Sequence, residues 1–232
     1  ISKGLLNHDL FFHKDGYGVN SIVTCPDLLD VFWHKKQLPN FFLCQRVTST
    51  AFKEVASSIQ EKYCEMQPSW RPLLYTPEMF HLTLCTISLS SILEVSKCFD
   101  CIHEALKDPF CPVVTEPLIL RGLGQFCSRV LYSAVYPSVS LNDLVAFLKV
   151  RLRESGFGNY IEDDFTPHIT LMKRDRKWMY RDLMVDHSFV GSRADTDFGT
   201  LKVDQLWLCL MGNSRDDTGF YRSFGRLDLT PA

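Results

Sequence analysis

The tetrapeptide His81-Leu82-Thr83-Leu84 returns almost unchanged as His168-Ile169-Thr170-Leu171. Each copy lies in an apolar run of strand character, Met79 to Cys85 and Pro167 to Met172. In a strand, residues i and i+2 point to the same face. The spacing therefore predicts His81 beside Thr83 on one face, with Leu82 and Leu84 on the other. It predicts the same split for His168 and Thr170 against Ile169 and Leu171. A single H-x-T means little in a chain with seven histidines. Two copies, each with apolar residues at the second and fourth positions, are far harder to reach by chance. A fold that holds both strands against one core, with both wet faces lining one cleft, satisfies this pattern.

The rest of the chain supports that arithmetic. The two motif histidines lie 87 residues apart, and each half carries strands, a helix and one motif. This is a duplication at the level of a lobe, not a short repeat. Strand patterns are read at 40–47, 79–89, 112–120, 129–136, 166–172, 201–211 and 220–229. Thr48 or Ser49 is expected to cap a helix bearing Phe52, Val55, Ile59 and Tyr63. A second helix is expected from about Ser91 to Leu106. The cleanest amphipathic pattern runs from Pro137 to Arg153, with Leu141, Leu144, Val145, Leu148 and Leu152 on one stripe. Gly122 and Gly124 read as the break after the third strand. The stretch 173–199 reads as polar connection, and Gly212 to Gly219 as a hairpin loop. Together these predict an α+β fold, bilobal and pseudo-symmetric. Two mainly antiparallel sheets are flanked by helices, with a central cleft between them. The domain is read as 39–232. Residues 1–38, including His8, His13 and His34, are read as an extension packed on the core.

Composition narrows the chemistry. With 46% apolar residues and 22% charged over 232 positions, the chain can bury a sizeable core. A net charge of −2 argues against a broad non-specific nucleic-acid surface, but leaves room for a local phosphate site. Nine cysteines, an odd number set mostly in apolar runs such as those of Cys44, Cys85 and Cys209, read as free thiols in a reducing compartment. Cys98, Cys101 and His103 have a zinc-like spacing, but no second ligand pair follows, and no metal site is expected. No signal peptide is visible at Ile1 to Gly4, and no apolar run approaches a membrane span. A cytoplasmic monomer, with nuclear access open to it, is the expectation.

Two imidazoles with two hydroxyls can perform acid–base chemistry on a phosphate ester. Near pH 7 one histidine can accept a proton while another donates one. Threonine hydroxyls can stabilise charge on the non-bridging oxygens. No carboxylate cluster of the kind a two-metal site uses is visible, and no cofactor is expected. The absence of a G-x-S-x-G elbow or a correctly spaced phosphate loop argues against an esterase or a kinase. Weaker candidates for substrate contact are Phe42, Phe165 and Tyr221 for base stacking, and Arg46, Arg129 and Lys173 for phosphate. Lys173 opens the basic run 173–177. His103 and His187 have no threonine at i+2 and read as structural or exposed.

The paired motifs resemble the signature of the two-histidine (2H) phosphoesterase superfamily. Phe165 to Lys173 looks like the eukaryotic branch that contains the central domain of A-kinase anchoring protein seven. Pro39 to Leu43 looks like the opening strand of that branch, and Leu206 to Gly212 is similar to a late segment of another of its members. The resemblance spans about 39–230 and implies catalytic roles for His81, Thr83, His168 and Thr170, without a metal. It implies a phosphodiesterase acting on 2′,5′-linked oligoadenylate or related RNA-type esters. The alternatives are a 2′,3′-cyclic phosphodiesterase in RNA-end processing, or a catalytically weak AMP- or CMP-binding module. In each case the partner is a short oligonucleotide or nucleotide, not a membrane.

Overall fold

The computed structural model describes residues 39–157, 164–174 and 182–229. The extension expected over 1–38 lies outside the described residues, as do positions 175–177 of the basic run. Eight strands form one sheet in the order β6-β3-β4-β5-β2-β1-β7-β8. These are β1 Phe41–Arg46, β2 His81–Ile87, β3 Leu118–Phe126, β4 Val130–Val135, β5 His168–Lys173, β6 Asp197–Leu201, β7 Gln205–Leu210 and β8 Ser223–Asp228. Every neighbouring pair is antiparallel. The helices are α1 Thr50–Met66, α2 Ile92–Lys107, α3 Val139–Glu154 and the short α4 His187–Gly191.

The duplication is plain in this order. β1-α1-β2 in one half corresponds to β4-α3-β5 in the other, and each motif strand is the innermost of its half. The two expected sheets are contiguous. They meet at a single residue pair, Leu82 opposite Ile169. A second difference concerns the helices, which cross over. α1 leaves β1 yet packs on β5 and β6 of the other half, where Phe52 lies 5.4 Å from Phe198. α3 leaves β4 yet packs against α2 and β2.

Local chemistry explains the helix starts. Ser49, Ser91 and Ser138 each accept a hydrogen bond from the backbone N–H three residues on, satisfying one of the free amides of a first turn. The apolar stripes face inward: Phe52, Ile59 and Tyr63 of α1 are buried, as are Leu141, Leu144, Leu148 and Leu152 of α3. Several strand boundaries differ from the sequence reading. β3 begins at Leu118 and runs through Gly122 and Gly124, which lie inside the strand. Gly122 adopts φ +83° at an irregularity in pairing, and a Cβ there would lie 2.4 Å from the Ala194 carbonyl oxygen. The expected strand over 201–211 is divided between the end of β6 and β7. The polar stretch before it contains α4 and β6, an edge strand that buries only Phe198 and Leu201.

Candidate active site

His81 is the first residue of β2 and His168 the first of β5, so the seam strands begin with the motif imidazoles. Both strands alternate as their sequences predict, with His and Thr half-buried and the intervening Leu or Ile buried. A bulge where β1 and β2 shift register between Leu43 and Cys44 lets Thr86 join His81 and Thr83 in lining the same cleft. That cleft has a volume of about 910 Å³, and His81, Thr83, His168 and Thr170 all line it.

The two imidazoles are held in matching ways. His81 Nδ1 lies 2.7 Å from the Met79 carbonyl oxygen, and His168 Nδ1 lies 2.8 Å from that of Thr166. A carbonyl only accepts, so in both rings Nδ1 carries the proton and donates it. Nε2 is left as the free nitrogen in the neutral ring, ready to take a proton. Each ring is also braced by two aromatics. Phe42 and Tyr221 lie 5.0 and 5.1 Å from His81, Tyr221 edge-on. Phe126 and Tyr132 lie 4.8 and 5.2 Å from His168, Phe126 edge-on. Fixed tautomer and fixed ring plane together are what a general acid or base requires.

Burial sets the electrostatics. It pushes the His81 imidazole down to about 4, opposed by the Met79 hydrogen bond and assisted by the positive charges of His168, Lys173 and Arg215. Burial also lowers His168, again against its backbone hydrogen bond and with help from Lys173. Both shifts favour the neutral imidazole. A bound phosphate diester supplies the opposite charge and favours the protonated form of a nearby ring.

The other sequence candidates divide. Lys173 and Phe165 line the cleft. Phe42 and Tyr221 line it too, but only 3% and 6% of each is exposed, because they pack on His81 and on each other at 5.0 Å. So little free face corrects the base-stacking reading of these two rings: they support His81. Arg46 does not reach the cleft. Its guanidinium lies 4.1 Å over Phe220 and 5.2 Å over Trp207, and donates to Thr218 Oγ1. Arg129 sits in the β3–β4 turn, which takes it off the strand face and outside the cleft lining. Among the described residues no group of three His, Cys, Asp or Glu is placed to hold a metal ion. Cys98 is buried on α2, and the Cys101 thiol donates to Ser155 Oγ at 3.1 Å. His187 caps no motif and instead lies within hydrogen-bonding distance of Gln125 and Ser128.

Several contributors were not read from sequence. Arg215, from the β7–β8 loop, lies 4.1 Å over the Tyr221 ring and is anchored to the Gly212 and Ser214 carbonyls. Tyr75 lines the cleft beside Tyr221. Tyr132 was assigned only to a strand, and Phe126 to no element. The one available signal was symmetry: an aromatic brace on one motif histidine implies another on its counterpart.

This architecture is that of the 2H phosphoesterases. The chain belongs to the family of the AKAP7 2′5′ RNA ligase-like domain, whose model matches residues 39–229. Among solved structures it is similar to LigT of E. coli complexed with NADP+, with a TM-score of 0.56 at 18% identity, covering 83% of this chain and 99% of that one. It is also similar to TT0787 of Thermus thermophilus, with a TM-score of 0.54 at 19% identity, covering 82% and 97%. A structure described as a phosphoesterase matches with a TM-score of 0.56 at 19% identity, covering 83% and 99%. These likenesses are of fold. No helix among the described residues is long and apolar enough to cross a membrane.

Proposed function

We propose that this domain is a phosphodiesterase that cleaves esters at a ribose 2′ position, and that it does so without a metal. The reference substrate is a 2′,5′-linked oligoadenylate, with a 2′,3′-cyclic phosphate as the alternative. The observation that carries the reading is the pair of imidazoles in one cleft, each with Nδ1 tied to the carbonyl two residues before it. The family's description as 2′5′ RNA ligase-like favours the 2′,5′ linkage, and LigT, which shares the fold, has been crystallised with 3′-AMP.

His81 is the general base in this scheme, because it is the ring held neutral most strongly. Its Nε2 takes the proton from the ribose 3′-hydroxyl as that oxygen attacks phosphorus. His168, protonated once the diester anion is bound, gives its Nε2 proton to the leaving 5′-oxygen. The products are a 2′,3′-cyclic phosphate end and a free 5′-hydroxyl, so protons and bonds balance. In hydrolysis of a cyclic ester, water replaces the attacking hydroxyl. Thr83 and Thr170 donate to the non-bridging oxygens, and Lys173 offsets the diester's charge.

The test is cleavage of 2′,5′-linked triadenylate in EDTA, beside a 3′,5′-linked control and a 2′,3′-cyclic nucleotide. His81→Ala and His168→Ala should each lower kcat/KM by roughly 10²- to 10⁴-fold. Full activity in both variants would refute the scheme. Turnover of the cyclic ester alone would move the assignment to RNA-end processing. Binding of AMP or CMP with no turnover would mark a nucleotide-binding module.

A further inference from the structure

One end of the cleft has a composition that phosphate chemistry does not explain. Asp164 and Phe165, which precede the second motif, line it together with Lys149 from α3. Lys149 is only 6% exposed, an unusual state for a lysine, and its Nζ lies 5.7 Å over the Phe165 ring. Phe165 is half-buried, resting partly on the core and partly on the cleft. Asp164 is exposed, and its carboxylate has no hydrogen-bond or ion-pair partner among the described residues. A carboxylate here would repel a second phosphate. It suits neutral hydrogen-bond donors instead.

The position fits a base. Phe165 is three residues from His168, so the two Cα atoms are at most about 10 Å apart. That is the reach of one nucleoside whose phosphate sits between the motif histidines. An aromatic ring gives a stacking platform for any base. The exposed carboxylate beside it gives selectivity, while buried Lys149 holds the ring in place. Guanine alone presents two adjacent donors, N1–H and the N2 amino group, that one carboxylate accepts together. Adenine has no such pair of donors and would leave the carboxylate half-satisfied.

We propose that Phe165 and Asp164 form a nucleobase subsite that selects guanine. This rests on the phosphodiesterase reading and shifts its expected substrate from an adenylate to a guanylate ester.

The experiment compares kcat/KM for 2′,3′-cyclic GMP and 2′,3′-cyclic AMP, with calorimetric binding of 3′-GMP and 3′-AMP alongside. Wild type should favour guanosine roughly tenfold or more in both measurements. Asp164→Asn, an exposed and isosteric change, should bring the two bases close to parity. Thermal melting shows whether the variant is folded. Parity or an adenosine preference in wild type, or a preference untouched by Asp164→Asn, would overturn the subsite. Histidine-dependent turnover that is blind to the base would sink the subsite and leave the phosphodiesterase. Guanosine-selective binding that Asp164→Asn abolishes, with no turnover of either cyclic ester or of 2′,5′-linked triadenylate, would do the reverse. If neither nucleotide binds at millimolar concentration, the subsite falls, and cleavage of 2′,5′-linked triadenylate alone decides the phosphodiesterase reading.

Discussion

A histidine that must stay neutral in an apolar wall makes the fold sensitive to acid. The His81 imidazole is held at about 4 in the folded protein, against an ordinary value of 6.5. Between those values the unfolded chain binds the proton and the folded chain refuses it, so stability rises with pH. The contribution is fully present above pH 6.5 and is lost as pH falls through about 4. Its size is on the order of 3 kcal/mol at most, reduced by the solvent that reaches a half-buried ring. Urea unfolding at pH 7.5, 6.0 and 4.8 should show progressive destabilisation, with His168 contributing in the same direction. His81→Gln should flatten that dependence; an unchanged slope would show that His81 is already protonated in the folded state. The hydroxyls make a separate prediction. Thr83→Val and Thr170→Val keep shape and strand propensity, so melting temperatures should barely move. Each should lower kcat by roughly 10- to 100-fold if the hydroxyl donates to the charged phosphoryl oxygens. An effect confined to KM would mean ground-state binding alone.

At the level of elements, the packing behind His168 is set from β3. Gly124 lies opposite Tyr132, and a Cβ on it would fall 2.4 Å from that ring. The ring cannot yield freely, because it stacks on Phe126 at 4.3 Å and lies 5.2 Å from His168. Gly124→Ala should therefore cost about 1–3 kcal/mol and push Tyr132 toward the imidazole. Reduced kcat at a temperature where the variant is fully folded would report this displacement. Normal kinetics would mean the ring rotates away harmlessly. This contact also shows where sequence reading stops. Helices α1, α2 and α3 were legible to within a few residues, since 3.6-residue stripes and serine caps are local signals. The motif faces were legible because a two-residue period is local too. Gly122 and Gly124 were read as a strand end, yet they are close-approach positions within β3. What they approach, Ala194 and Tyr132, is distant in sequence. β6 was hidden for a similar reason, as an edge strand with two buried residues has almost no alternation to read. Arg215 was hidden inside a loop whose composition announced only a turn.

For the molecule as a whole, the question is what holds two half-sites at a working separation. The duplication made two lobes legible, but a stripe of leucines does not say which sheet it will cover. The answer is an exchange: α1 packs on the strands of the second half and α3 on β2 of the first. Gln60 of α1 ties this together, donating to the carbonyls of Tyr75 and Leu171, and so joins the helix to the second motif strand. Among the described residues the two halves of the sheet pair only at Leu82 and Ile169, both fully buried. The cleft geometry is therefore expected to follow this apolar seam more than any contact within a half. Ile169→Ala should create a cavity there and cost about 2–5 kcal/mol. Leu206→Ala in β7, equally buried but far toward the sheet edge, should cost a similar amount. The two should differ in function. At a temperature where both variants remain folded, Leu206→Ala should keep nearly normal kcat. Ile169→Ala should lose it by tenfold or more, because a shift of about 1 Å between acid and base can cost as much as 10²-fold. Equal kinetics in the two variants would show that the crossed helices, not the seam, set the distance between the histidines. In that event the Gln60→Leu variant, which breaks the helix-to-strand tie, should carry the larger kinetic penalty.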